Sequence, residues 1–220
     1  MNYFAHARHF LADPYFAAGT AVPDWLTVVD RQVRLRAKHV ATWTEDPDPR
    51  AAAVARGVLQ HFRDDARFHE TRAFAETSLA LTVLVRDSLA RETGFRPSFL
   101  GHLLVEVLLD ATLIEEDPQR LEQYYQAIAS VDGLFLQQTV NRMAPRPTER
   151  LAWLVAGFSG ERFLSDYAQD ARLWTRLNQI MRRVQLPPLP ERFTEILPAA
   201  RRMVADRRTE LLEGIPVRGE

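Results

Sequence analysis

The chain of 220 residues contains no cysteine. Disulfides, thiolate nucleophiles and cysteine zinc sites are therefore excluded, and any metal must be held by oxygen and imidazole. An excess of charge is missing too: 28 Lys and Arg stand against 29 Asp and Glu, a formal net charge of -1. That balance has no electrostatic footprint of a nucleic-acid binder, and no such partner is expected. No run reaches the roughly 18 uncharged apolar residues of a membrane span. His6, Arg8, His9 and Asp13 interrupt any signal-peptide core near the start. The expectation is a soluble, cytoplasmic chain with no membrane partner.

Strand punctuation is scarce as well. The nine glycines are scattered, and no pair of alternating runs is joined by an Asn-Gly or Asp-Gly turn. Val131-Asp132-Gly133-Leu134 comes nearest, but it lies between helical patterns. Helix punctuation recurs instead. Asp48-Pro49, Pro97 and Asp117-Pro118 each open a segment with helical spacing. A chain with 46% hydrophobic residues is long enough for a substantial core. The expected fold is all-α, a compact bundle of about seven to nine helices forming one domain over residues 1–220. The stiff "QLPPLPERF" around Pro187, Pro188 and Pro190 should deliver a last Arg-rich helix over about residues 191–213.

The segment "GHLLVEVLLDATLI" (residues 101–114) reads as a central helix that is apolar on nearly every side, yet it carries His102, Glu106 and Asp110. Four residues advance a helix by about 400°, so these groups share one face and should be buried. An unpartnered buried carboxylate costs several kcal/mol, so such a stripe requires cations, hydrogen bonds or a metal. A second seam supplies partners. Val54, Val58, His61, Asp65, Phe68 and Arg72 recur at spacings of four and three, and His69 extends the series to His-x-x-x-Asp-x-x-x-His. Arg63, Asp64, Arg67 and Glu70 fall on the other face. Two helices that each direct imidazole and carboxylate inward are what a nitrogen and oxygen metal site requires. The same groups also suit a purely structural polar network. A di-iron carboxylate bundle is disfavoured, because none of the six histidines has Glu three residues before it.

"MNYFAH", then "AGTAVPDWL" with Asp24, then "GVLQHFRDDARFH", then an apolar helix ending in Asp110 together resemble the acyl carrier protein phosphodiesterase family. The resemblance covers about residues 1–127; residues 128–220 read as helical completion. It implies an all-helical fold related to HD-domain phosphohydrolases and a divalent metal, manganese first, with magnesium or iron as alternatives. The implied reaction releases phosphopantetheine from holo acyl carrier protein. Residue by residue, it implies His6, Asp24, His61, Asp65 and Asp110 as metal ligands and Arg63 on the substrate phosphate. The family's Trp-Asp-His reads Leu109-Asp110-Ala111 here, and its acidic residue after the His61 motif is replaced by His69.

A metal so held would activate water and polarise a phosphoryl oxygen. Glu106 would orient the water or an imidazole, and His69 or His102 would protonate the leaving group. The Arg31, Arg34, Arg36 and Lys38 stretch, otherwise a solvated helix face, would suit docking of an acidic carrier protein. A phosphohydrolase acting on a nucleotide or other small phosphodiester, and a non-enzymatic helical protein, stand as alternatives.

Overall fold

The computed structural model describes residues 1–215, and every regular element among them is helical. Among the described residues there are twelve α-helices and three 3-10 segments, and nine of the α-helices have ten residues or more. The expected seven to nine therefore falls short of the total. The surplus is short helices such as α1 (Tyr3–Ala7) and α3 (Ala37–Val40), too brief to show a period.

The sequence punctuation has direct counterparts. Helix α2 (Pro14–Val29) begins where Asp13 accepts from the Phe16 amide at 3.1 Å. Asp48 accepts from the Arg50 amide at 2.9 Å as α4 (Pro49–Glu70) begins. After α5 (Arg72–Ser88), α6 starts at Pro97 and runs to Glu116. Asp117 caps α7 (Pro118–Ala129) by accepting from the Arg120 amide at 3.0 Å. Asp132 caps α8 (Gly133–Met143) by accepting from the amides of Leu134 and Phe135, so the one hairpin-like turn starts a helix. These carboxylates satisfy amides that a helix leaves without partners.

Packing divides the chain into two compact units whose segments interleave. Unit I comprises residues 2–66 and 117–162; unit II comprises Met1 and residues 67–116 and 163–215. Helix α4 runs through the division.

In unit I, α1 and α2 pack with α7 and with α9 (Leu151–Glu161). Aromatic rings hold them: Tyr3 and Trp25 each meet Phe158 edge-on at 5.2 Å, and Phe4 meets Tyr124 at 6.1 Å. Helices α2 and α4 cross with their backbones in contact. A Cβ on Gly57 would lie 2.2 Å from the Phe16 carbonyl oxygen, and one on Gly19 would lie 2.5 Å from that of Val54. Only glycine permits this crossing.

In unit II, α6 packs against α5, against α11 (Leu197–Asp206) and against the 3-10 segment Phe163–Ala168. Leu100, Leu104 and Leu108 are fully buried there, as are Leu81 and Val85 opposite. Being packed by several elements explains why α6 is apolar on so many sides. By length and composition it could cross a membrane, but 61% of its most apolar window is buried in the fold. The expected last helix is broken into the 3-10 segment Glu191–Ile196, α11 and α12 (Arg208–Leu211). Pro198 explains the first break, because it has no N–H with which to continue a preceding helix. Ahead of it, α10 (Asp170–Arg183) grips the proline-rich connection: Asn178 accepts from the Leu189 amide at 2.7 Å, and Trp174 donates to the Leu189 carbonyl at 3.0 Å.

Candidate metal centre

Helix α1 is a single turn with little stability of its own. Phe4, Ala5 and Ala7 are all buried, so the aromatic core of unit I fixes the turn and presents His6 inward. The Gly19–Gly57 crossing does the corresponding work for His61, one turn beyond Gly57. It brings the backbone carbonyl of Thr20 to 2.8 Å from His61 Nδ1. A carbonyl only accepts, so Nδ1 carries a proton, and Nε2 is the ring nitrogen left to meet a carboxylate or a metal. The two imidazoles stack, with centroids 4.2 Å apart and planes at 28°.

Both Nε2 atoms face Asp65. His6 Nε2 lies 3.3 Å from Asp65 Oδ1, and His61 Nε2 lies 3.4 Å from Asp65 Oδ2. His6 Nε2 is buried and lacks hydrogen-bond alignment to any partner. One donor atom from each of these residues can be chosen so that all lie within 4.8 Å of one another. Metal bonds of about 2.1 Å place neighbouring ligand atoms roughly 3.0 to 3.4 Å apart, the range of the two imidazole–carboxylate contacts. Imidazole with carboxylate also suits a first-row divalent metal. The unaligned Nε2, the fixed His61 tautomer and the donor chemistry together fit a metal ion.

The electrostatics are those of a strongly coupled group. Burial opposes a charge on His6, but Asp64 and Asp65 outweigh it and raise the imidazole pKa to about 8. Burial likewise pushes Asp65 up, yet His6 and His61 hold it well below the usual carboxylate range. Asp24 remains partly open to solvent but is crowded by protein. Burial raises its pKa, against the opposing influence of His61 and His6. Of the five metal positions implied by the resemblance, His6, Asp24, His61 and Asp65 thus interact within unit I. Asp110 lies on α6 in unit II and is fully buried.

Asp64, which the helical period places on the outer face, is turned inward instead. It is 1% exposed and lies 3.2 Å from His6 Nδ1, while accepting from Gln60 Nε2 at 2.6 Å. The signal was present: Asp64 is three residues after His61, a spacing that shares a helix face. Arg63 is exposed and donates to Gln60 Oε1 at 2.9 Å, extending the chain of contacts to the surface.

The three expected catalytic groups form a second cluster, in unit II. His69 Nε2 and His102 Nε2 lie 3.4 and 3.3 Å from Glu106 Oε1, and the Met1 amino group lies 3.2 Å from the same oxygen. Burial alone would raise the Glu106 pKa, but the Met1 ammonium and both imidazoles hold it well below the usual range. His102 was expected to be buried with Glu106 and Asp110. Its side chain is 44% exposed, because the helix face drifts over a full turn and reaches the surface near its start.

The Arg31 to Lys38 stretch is corrected as well. Residues 31–36 are irregular and, of the four basic residues, only Lys38 lies in a helix, α3, with Arg31, Arg34, Arg36 and Lys38 all exposed. No family model, curated protein or solved structure matches the chain.

Proposed function

We propose that this chain is a divalent-metal-dependent phosphodiester hydrolase of the type its N-terminal motifs resemble. The observation that supports this reading most directly is the convergence of His6, His61 and Asp65, three of the five residues those motifs single out as ligands. His6 and His61 supply Nε2 and Asp65 supplies a carboxylate oxygen, with Asp24 beside them. A bound divalent ion would supply Lewis acidity toward a phosphoryl oxygen and water activation.

The chain's own residues have separate parts. Thr20 fixes the ring of His61, and Asp64 holds that of His6, so neither ligand must reorganise on binding. Arg63 offers a planar cation at the surface end of the same helix turn, suited to paired contacts with phosphate oxygens. Manganese is the expected ion and holo acyl carrier protein the expected substrate. The exposed Arg31, Arg34, Arg36 and Lys38 suit its acidic surface.

The contacts of Asp65 with both imidazoles support a second reading, a metal-free polar network in a non-enzymatic protein. Assay with holo acyl carrier protein and with bis(p-nitrophenyl) phosphate, with and without manganese, separates the two. The hydrolase reading expects manganese-dependent turnover of at least one substrate, lost in Asp65→Ala with helix content unchanged. Turnover unaffected by Asp65→Ala, or absent with both substrates, contradicts it.

A further inference from the structure

Unit II contains the three groups expected to supply the acid and the orienting carboxylate, and their geometry suits a different role. Two imidazole nitrogens from different helices, His69 on α4 and His102 on α6, converge on Oε1 of Glu106 at 3.4 and 3.3 Å. A donor atom from each of the three lies within 4.8 Å of the others. We propose that His69, His102 and Glu106 form a second metal site, selective for a divalent ion of the zinc class and open to an exogenous ligand.

The donor chemistry argues for that class. Two imidazoles and one carboxylate suit zinc, iron, nickel or cobalt, whereas magnesium and calcium prefer all-oxygen shells. The rings are also held in place before any ion arrives. Phe74, from α5, packs edge-on against His69 at 4.7 Å and against His102 at 5.0 Å. The two imidazoles lie 5.0 Å apart at 32°, so both Nε2 atoms address one oxygen. Phe74 is itself backed by Phe68 at 4.9 Å. Gly101, beside His102, permits the tight contact of α6 with α5. A Cβ there would lie 2.4 Å from Thr82 Oγ1 and 2.7 Å from the Ser78 carbonyl oxygen.

Access distinguishes this site from a closed structural one. A cavity of about 670 Å3 is lined by Arg96, Ser98, Phe99, His102, Leu103 and Glu106. Three protein donors leave coordination positions unfilled, as in sites that take water or substrate. The exposed Arg96 on the cavity wall suits an anionic ligand there. The Met1 amino group at 3.2 Å is the competing cation on Glu106.

The test uses cobalt, whose visible absorption reports its ligands, titrated into the metal-free full chain. Wild type, His102→Gln, His69→Gln and Asp65→Ala are compared, with circular dichroism as the check on folding. The proposal expects His102→Gln and His69→Gln each to lose one equivalent of cobalt and its absorption band. Asp65→Ala should keep that equivalent and that band, so a failure of the Asp65 centre leaves this result intact. Cobalt stoichiometry and spectrum unchanged in both folded histidine variants overturn the proposal, and so does loss of all cobalt binding in folded Asp65→Ala. Should His102→Gln fail to fold, the wild-type imidazole proton resonances decide. Shifts of His69 and His102 on adding zinc support the site, and their absence overturns it.

Discussion

The backbone carbonyl of Thr20 lies 2.8 Å from Nδ1 of His61, and this single contact links helix packing to ligand chemistry. It exists because Gly19 and Gly57 let α2 and α4 touch at the backbone. The contact sets the tautomer, and the tautomer sets which nitrogen is available to a metal.

Gly57→Ala should therefore damage stability and metal binding together. The new methyl would fall 2.2 Å from the Phe16 carbonyl oxygen, so the helices must separate. Overpacking of this kind costs about 1–3 kcal/mol, which urea denaturation would detect. Gly160→Ala is the control, because a Cβ there meets nothing within 4 Å. It should be neutral or gain up to about 1 kcal/mol from helix propensity. Equal midpoints for Gly57→Ala and wild type would refute the crossing.

Asp64→Asn tests the support behind His6. Removing the negative charge 3.2 Å from Nδ1 should lower the His6 pKa and weaken manganese binding about 10- to 100-fold, the usual cost of losing such a partner. Because Asn still offers an oxygen to Gln60, the helix should survive. Unchanged affinity would show that Asp64 serves packing alone.

In metal-free protein, His6 should titrate near pH 8 by proton NMR, against an ordinary value of 6.5. A folded pKa above the unfolded one means the folded state holds the proton more tightly. The resulting stabilisation is complete below pH 6.5 and disappears as pH rises through 8. Its size is about 2 kcal/mol. Manganese must displace that proton, so binding at pH 7 should release it to the buffer. Heats that do not depend on buffer ionisation enthalpy would contradict this.

The sequence made some of this arrangement legible. The seam through His61 and Asp65 showed that imidazole and carboxylate share one face, and Pro49, Pro97 and Pro118 marked the starts of α4, α6 and α7. Gly19 and Gly57 stayed hidden because isolated glycines in a helical pattern reveal a cost but not which backbone approaches them. Asp64 was lost among the charged residues of "FRDDAR", where its i+3 spacing from His61 was the only clue. Spacing also placed His69, His102 and Glu106 on suitable faces without showing that they meet at a single carboxylate oxygen. Helical period gives direction around an axis, whereas contact between residues far apart in sequence depends on how the axes cross.

The most direct measurement is calorimetric titration of metal-free protein with manganese, with Asp65→Ala run beside it. The account predicts saturable binding in the wild type and the loss of a manganese site in the variant, with both proteins equally helical. Absence of binding in both, or identical binding in both, would contradict a metal centre built on His6, His61 and Asp65.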